Sequence, residues 1–145
     1  SVMSDIHDDR HEIEAVLIRY AQSLDTKQYA RLTEVFTPEA TANYVGMAEC
    51  NGVESIISLV SGVLDRCGNT QHLLGNVRID VQGDKATSSC YLQAIHVGLG
   101  DYSDRLLIIW GEYRDQFVRT PAGWRIGYRE LTTLHAQGDI GLAPG

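Results

Sequence analysis

The stretch TQHLLGNVRIDVQ-GDK-ATSSCYLQAIHVGLG, residues 70–100, predicts two long β-strands joined by a tight turn. Both arms are rich in β-branched and aromatic residues, and Gly83 and Asp84 supply residues typical of hairpin turns. The pattern repeats downstream, where RLLIIWGEYRDQFVR (105–119) turns at TPAG into WRIGYRELTTLHA (124–136). Successive long strands with short connections favour an antiparallel sheet.

Upstream of these strands the apolar residues recur at helical spacing. Residues 5–24 predict an amphipathic helix, residues 25–36 a shorter one and residues 51–67 a third, while TANYV (41–45) predicts a short strand. Because helices come first and antiparallel strands last, the fold class is α+β. We expect a cone in which three N-terminal helices pack into a strongly curved, mostly antiparallel sheet.

A sheet can close into a cone only if its strands bend, and glycines inside strands permit the necessary bulges. Gly75, Gly111 and Gly127 are the candidates. The hollow between the helices and the concave sheet would be a deep, mostly apolar pocket. We expect one domain over residues 1–145, in which segment 136–145 is either a flexible tail or a flap over the pocket.

Charge and cysteine content narrow the possible functions. The net charge is −7, with 12 basic and 19 acidic residues and no basic cluster, which disfavours nucleic-acid binding. No apolar run approaches the roughly eighteen residues that a membrane span needs, so no membrane association is expected. Cys50, Cys67 and Cys90 form no C-x-x-C pair and no secretory pattern precedes them, which predicts free thiols and a cytoplasmic location.

Asp25 and His72 are the candidates for acid–base chemistry. Asp25 ends the first predicted helix, and His72 opens the first long strand. Taken singly, Asp25 fits an N-cap of the next helix and His72 fits a hydrogen-bonded core histidine. Together in an apolar pocket they would form a general base, in which the carboxylate fixes the tautomer and stabilises the imidazolium. Both interpretations stay open, because sequence spacing does not show whether the two residues meet.

Four segments resemble, in order and separation, the SnoaL-like branch of the NTF2-like superfamily. They are RYAQSLDTKQYARLTEVFTPEATANY (19–44), TQHLLGNVRI (70–79), AIHVG (94–98) and GWRIGYRELT (123–132). More narrowly, the chain is similar to scytalone dehydratase and hexachlorocyclohexane dehydrochlorinase. The resemblance implies the NTF2-like cone and a lyase activity that needs no cofactor.

The resemblance also implies roles for individual residues. In both relatives an aspartate at the end of the first helix pairs with a strand histidine that acts as the base, and Asp25 and His72 match these positions. Tyr44 and His96 match a tyrosine and a second histidine of the dehydratase, and Arg129 matches an arginine of the dehydrochlorinase. These three residues are therefore candidate substrate-binding residues.

Packing alternatives stay open for the substrate-binding candidates. Tyr44 and His96 could equally be packed core residues, Trp110 could be core rather than a platform for substrate, and Arg129 could form a surface ion pair. One departure from the dehydratase is Leu24, which stands where that family has a second tyrosine. An incomplete tyrosine pair is therefore expected.

The sequence thus predicts a cofactor-independent lyase, of dehydratase or dehydrohalogenase type, acting on a small, largely apolar cyclic substrate. No metal is expected, because the only ligand-like spacing is His7 and His11 near the N-terminus. The alternative is a non-catalytic ligand-binding protein or the small subunit of a ring-hydroxylating dioxygenase. Outward-facing apolar residues of the last strands, such as Ile109 and Phe117, predict a homo-oligomer, and the resemblance favours a trimer over a dimer.

Overall fold

A six-stranded sheet and two α-helices carry the fold of the computed structural model, which describes residues 2–142. The helices are α1 (Val2–Asp25) and α2 (Val53–Leu64). Two short 3₁₀ helices in the same range span Tyr29–Glu34 and Gly100–Tyr102. The strands are β1 (Phe36–Tyr44), β2 (Ala48–Asn51), β3 (Thr70–Gln82), β4 (Lys85–Val97), β5 (Leu106–Thr120) and β6 (Gly123–Gly138).

The strands are arranged in the order β2-β1-β6-β5-β4-β3. β1 runs parallel to β6, and the other neighbouring pairs are antiparallel, so the predicted α+β class is confirmed with a mixed sheet. α1 packs against both β3 and β6, although β4 and β5 separate these strands in the sheet. The sheet must therefore curve around α1, and a cavity lies on its concave side.

The expectation of three N-terminal helices is wrong. The helix predicted over 25–36 is the 3₁₀ helix Tyr29–Glu34, and α2 follows two strands instead of preceding the sheet. Lys27 has a positive φ of 55°, which interrupts the chain directly after α1. Since β1 already begins at Phe36, too few residues remain between these points for a stable α-helix.

β1 begins earlier than the strand predicted over 41–45, and the added residues include Pro38. Proline cannot donate to a strand ladder, but the register between β1 and β6 shifts between Phe36 and Thr41, and such irregularities tolerate proline. The short strand β2 was not predicted, and it pairs antiparallel with the end of β1.

The three predicted glycines lie at or beside bulges of the sheet. The register between β3 and β4 shifts after Gly75, and the register between β5 and β6 shifts at Gly111. A second shift between β5 and β6 leaves Gly127 without a partner. Glycine is required sterically at Gly111, where a Cβ would lie 2.9 Å from the backbone oxygen of Thr132.

Ile109 and Phe117 face inward, which corrects the expectation that they lie on the outer face. Phe117 is 1 % exposed in the core, and Ile109 lines the cavity. Alternation along the strands places a different set of side chains on the outer side of β3, β4 and β5. We call this set the convex patch: Leu73 (62 % exposed), Tyr91 (51 %), Ile95 (37 %) and Trp110.

The segment expected to be a tail begins inside the sheet, because β6 continues to Gly138. Beyond β6, Ile140 is 4 % exposed and belongs to the core. Arg66 Nη2 donates to the backbone oxygens of Gly141 and Leu142, each at 3.3 Å. Residues 143–145 lie outside the described residues.

Cys50, Cys67 and Cys90 are buried and not disulfide-bonded. Within residues 2–142, no helix combines the length and the apolar character needed to cross a bilayer. Over the same part of the chain, no three side chains of His, Cys, Asp or Glu come together as a metal-binding group.

Candidate active site

Asp25 and His72 meet where the end of α1 lies against the start of β3. Asp25 Oδ1 and His72 Nδ1 are 2.7 Å apart. The backbone N–H of His72 donates to Asp25 Oδ2 at 2.9 Å, and the Thr70 hydroxyl donates to Oδ1 at 3.0 Å. Three hydrogen bonds thus fix the carboxylate to the strand that carries the histidine.

The hydrogen bonds determine which ring nitrogen of His72 is free. Burial raises the pKa of Asp25, but the hydrogen bonds from His72 and Thr70 outweigh burial, so the pKa lies below its ordinary value of 3.8. An ionised carboxylate only accepts hydrogen bonds, so the proton of neutral His72 resides on Nδ1. Because the ring lines the cavity and Nδ1 is engaged by Asp25, Nε2 is available to a bound molecule.

The lowered pKa of Asp25 predicts an acid-sensitive contribution to stability. Ionised Asp25 stabilises the fold above the unfolded pKa of 3.8, and this contribution is lost as the pH falls through the lower pKa of the folded state. We expect the free energy of unfolding to fall more steeply on acidification in the wild type than in Asp25→Asn. Urea unfolding from neutral pH to below 3.8 measures this difference. Asp101→Asn removes an exposed carboxylate as the control, and equal slopes for wild type and Asp25→Asn would contradict the prediction.

His96 lies beside His72 on the same wall of the cavity, with ring centroids 5.7 Å apart. Its Nδ1 is 3.1 Å from the backbone oxygen of Leu107, which can only accept, so this nitrogen carries a proton. Burial is the main reason that the pKa of His96 lies below its ordinary value, which favours the neutral ring. Nε2 of His96 then carries a free lone pair, as Nε2 of His72 does. The wall of the cavity formed by these two histidines therefore accepts hydrogen bonds.

The cavity itself has a volume of about 120 Å³ and is largely apolar. Met47 in the turn between β1 and β2 lines it and is 60 % exposed, so the cavity opens to solvent at this turn. The aliphatic lining comes from both helices and the sheet, and includes Leu24, Leu59, Val63, Leu92, Ile109 and Leu131. Such a lining excludes water and favours apolar ligands.

Two tyrosines supply hydroxyl groups to the cavity. The hydroxyls of Tyr20 and Tyr44 are 2.8 Å apart, and both side chains are buried in the cavity lining. Burial is the main cause that raises the pKa of each phenol, so both are protonated at neutral pH. Tyr20 lies one helical turn before Leu24 on the same face of α1, which brings it to Tyr44.

Arg129, a predicted substrate-binding residue, lies behind the cavity and is not among the residues that line it. Its side chain is 1 % exposed, and Nε and Nη2 donate to Asp115 Oδ1 and Oδ2 at 2.7 and 2.8 Å. The guanidinium carbon lies 3.8 Å from the ring centroid of Tyr113 and 4.2 Å from that of Tyr20. Burial lowers the pKa of Arg129, but attraction to Asp115 outweighs burial and raises it well above the ordinary value.

Trp110, another predicted substrate-binding residue, is also absent from the cavity lining. Its neighbour Ile109 faces the cavity, so alternation directs Trp110 to the convex side, where its ring lies 5.4 Å from that of His135. Of the six sequence candidates, the structure thus brings together Asp25, His72, Tyr44 and His96.

Four further residues of the cavity and its surroundings were not predicted as site residues from the sequence: Tyr20, Tyr113, Thr70 and Asp115. Tyr20 was visible in the sequence as a member of the apolar face of the helix that ends at Asp25. Its position on that face, five residues before Asp25, is the signal that could have identified it. No sequence pattern distinguishes Asp115 from the other charged residues of β5, since its pairing depends on the register between β5 and β6.

The sequence of this chain is similar to a known protein family and to curated proteins. The sequence profile of the SnoaL-like domain matches residues 6–130. The chain belongs to the SnoaL-like family. It is also 37 % identical, over 120 residues, to the uncharacterized protein Rv2910c of Mycobacterium tuberculosis. This match covers 81 % of the present SnoaL-like chain and 80 % of the mycobacterial protein.

Solved structures of other proteins share this SnoaL-like fold. A candidate scytalone dehydratase from Novosphingobium aromaticivorans superposes with a TM-score of 0.84 at 22 % identity, covering 94 % of this chain and 91 % of that one. A hexachlorocyclohexane dehydrochlorinase from Novosphingobium barchaimii superposes with a TM-score of 0.82 at 18 % identity, covering 100 % of both chains. Identities this low establish the fold alone, and it is the sequence profile that confirms the predicted SnoaL-like family.

Proposed function

We propose that this protein is a cofactor-independent lyase in which His72 is the general base. The observation that carries the proposal is the 2.7 Å contact between Asp25 and His72 beside an apolar cavity. A carboxylate on Nδ1 holds the ring in the tautomer with a free Nε2 and stabilises the imidazolium formed by proton uptake. A protein that only binds a ligand or supports another subunit has no need of such a pair.

The reaction consists of one proton transfer and the departure of a leaving group from the adjacent carbon. His72 Nε2 removes a proton from a C–H group, the electrons of that bond form a C=C bond, and the leaving group departs with its bonding electrons. In a dehydrohalogenation the leaving group is halide and the proton stays on His72 until solvent removes it. In a dehydration the imidazolium returns the proton to the departing hydroxide, which leaves as water.

The remaining polar groups match this chemistry. Tyr20 and Tyr44 are protonated phenols and can donate to a substrate oxygen or to a leaving group, whereas neutral His96 accepts. Donors aimed at developing negative charge in a dry site stabilise a transition state more strongly than they would in water. Tyr44 and His96 are therefore proposed substrate-binding residues, and Tyr20 acts through its hydroxyl contact with Tyr44.

The size of the cavity limits the substrate. Its volume is about 120 Å³, whereas pockets for drug-sized ligands occupy about 300–1,000 Å³. An engineered apolar cavity of about 150 Å³ in another protein holds benzene. We therefore assign a substrate with a single small ring, few polar groups and a leaving group next to an acidic C–H.

The proposal is tested by a screen of monocyclic β-hydroxy ketones and halogenated cyclohexanes with the purified protein. Mass spectrometry detects loss of water or of hydrogen halide, and His72→Ala is run in parallel to subtract spontaneous elimination. We expect elimination of at least one compound by the wild type only. Ligand binding without turnover across both classes would instead support the non-catalytic alternative.

We also propose that the protein is a homo-oligomer that buries the convex patch against further copies, with a trimer favoured by the resemblance. Leu73, Tyr91 and Ile95 lie on neighbouring strands and expose apolar surface. Light scattering at micromolar concentration should give about three times the chain mass of 16.0 kDa.

The variant Tyr91→Glu places a charge in the convex patch and should shift the oligomer toward monomer. Ile18→Glu is the matched control, because Ile18 is 50 % exposed on α1, outside the patch. A wild-type monomer, or equal effects of the two variants, would contradict the proposed association.

A further inference from the structure

The buried ion pair between Arg129 and Asp115 lies directly behind the tyrosine wall of the cavity. Two of the three guanidinium nitrogens, Nε and Nη2, are bound by the Asp115 carboxylate. The third, Nη1, is buried and has no hydrogen-bond acceptor among residues 2–142. The guanidinium carbon contacts the rings of Tyr20 and Tyr113. Tyr44 is connected to this group only through the contact between its hydroxyl and that of Tyr20.

The geometry points to Arg129, held by Asp115, as a positioning residue that makes the Tyr20 hydroxyl donate to Tyr44 and thereby leaves the Tyr44 proton for the cavity. The chain of contacts runs from Asp115 through Arg129 and Tyr20 to Tyr44. Only its consequence for turnover rests on the proposed lyase function. The direction of the hydrogen bond is a property of the protein alone.

The tyrosine pair has two hydroxyl protons but only one hydrogen bond between its members. Two phenols 2.8 Å apart share one hydrogen bond, so one hydroxyl donates to the other and the second needs an acceptor elsewhere. If Tyr44 donated, the Tyr20 proton would be left beside the Arg129 guanidinium, which only donates hydrogen bonds and offers no acceptor. If Tyr20 donates, the remaining proton belongs to Tyr44, which lines the cavity and can donate to a bound molecule.

The charge of Arg129 also favours donation from Tyr20 to Tyr44. The positive charge of Arg129 lies 4.2 Å from the ring centroid of Tyr20 and is 1 % exposed, so water does not screen it. A cation at this position repels the hydroxyl proton of Tyr20 and attracts the lone pairs of its oxygen. Both effects direct the Tyr20 proton toward Tyr44.

Asp115 has two functions in this arrangement. Its carboxylate neutralises the buried cation, and the two-point contact fixes the plane of the guanidinium against the tyrosine rings. The cavity consequently has a wall that accepts hydrogen bonds, formed by His72 and His96, and a donor at Tyr44. A substrate that satisfies both carries an oxygen or another acceptor apart from its acidic C–H group.

The test follows the ¹³Cζ NMR signal of Tyr44 in protein labelled on tyrosine, with the signal assigned by Tyr44→Phe. The key variant is Arg129→Met/Asp115→Leu, since replacing a buried ion pair by apolar residues of similar size is often neutral for stability. We expect the Tyr44 signal to move in this variant, although Tyr44 does not contact the guanidinium. The signal of Tyr29, which donates to Asp65 outside the cavity, serves as the internal control and should stay in place.

A comparison in the Tyr20→Phe protein shows whether the ion pair acts on Tyr44 through the Tyr20 hydroxyl or directly through its electric field. In Tyr20→Phe the same double substitution should leave the Tyr44 signal where it is, because the connecting hydroxyl is gone. An unmoved Tyr44 signal in the protein that keeps Tyr20, or an equal movement in both proteins, would overturn the inference. Arg129→Lys, which keeps the charge without the two-point contact, provides the same readout with an expected smaller movement should the double variant not fold.

The catalytic consequence is measured on whichever compound the elimination screen identifies. The double variant should lower kcat by roughly 10²-fold, the order lost when one donor to a developing anion is removed, with little change in KM. The loss should not add to that of Tyr44→Phe, since both remove the same donor. If the wild type eliminates none of the compounds, the proposed function fails, while the NMR comparison still decides the direction of the hydrogen bond.

Discussion

Replacing His72 by alanine is expected to lower kcat by about 10²–10⁴-fold, the range that a positioned general base contributes. The loss follows from the geometry, because no other cavity group among residues 2–142 combines a free lone pair with a carboxylate partner. His96 also has a free Nε2, but its Nδ1 donates to the uncharged backbone oxygen of Leu107, which stabilises an imidazolium far less. Initial-rate kinetics on the compound found by the screen measures the effect.

Asp25→Asn should also lower kcat, as His72→Ala does, while the protein stays folded. The amide can still accept a hydrogen bond from Nδ1, but it carries no charge to stabilise the protonated ring. His135→Ala is the matched control, since it removes a histidine whose ring packs on Trp110 outside the cavity. Wild-type turnover in His72→Ala would remove His72 from the mechanism, and a comparable loss in His135→Ala would point to a general effect on the fold.

Breaking the ion pair between Arg129 and Asp115 is expected to destabilise the protein by about 3–5 kcal/mol in the single variant Asp115→Ala. The side chains are 1 % and 0 % exposed, so the variant leaves an uncompensated cation that water cannot reach. The two rings beside the guanidinium offset only part of this cost, since a contact of this kind contributes about 2 kcal/mol when desolvated. Urea unfolding monitored by tryptophan fluorescence measures the change.

Two controls identify the cause of this loss. Arg129→Met/Asp115→Leu should recover most of the stability, because neither charge remains in the core. Arg31→Ala breaks the exposed ion pair with Glu34 and should cost less than about 1 kcal/mol. A double variant as unstable as Asp115→Ala would show that packing around the side chains, and not the unpaired charge, determines the effect.

The long strands could be predicted from the sequence because their signals are local. Alternation, β-branched residues and turn residues lie within each hairpin, and glycines inside strands indicated where β3, β5 and β6 bulge. Asp25 and His72 could be chosen from their order in the chain together with the resemblance to the superfamily. The residues that contact the carboxylate, such as Thr70, depend on how α1 docks on β3 and had no local signal.

The features that the sequence did not predict depend on contacts between distant segments. The second predicted helix forms a 3₁₀ turn because Lys27 and the start of β1 limit its length. Ile109 was assigned to the wrong face because the continuous apolar stretch 106–110 of β5 hides the alternation. Arg129 carries the same residue type whether it contacts substrate or Asp115, and only the register between β5 and β6 decides between these roles.

The most direct test of the account is a long-range ¹H–¹⁵N NMR spectrum of the His72 ring at a pH where the ring is neutral, with the signals assigned by His72→Gln. We expect a proton on Nδ1, where Asp25 accepts the hydrogen bond, and an unprotonated Nε2 whose signal moves when a small cyclic ligand enters the cavity. In Asp25→Asn the preference for this tautomer should weaken. A proton on Nε2 in the wild type, or an Nε2 signal that no such ligand moves, would contradict His72 as the base of this site.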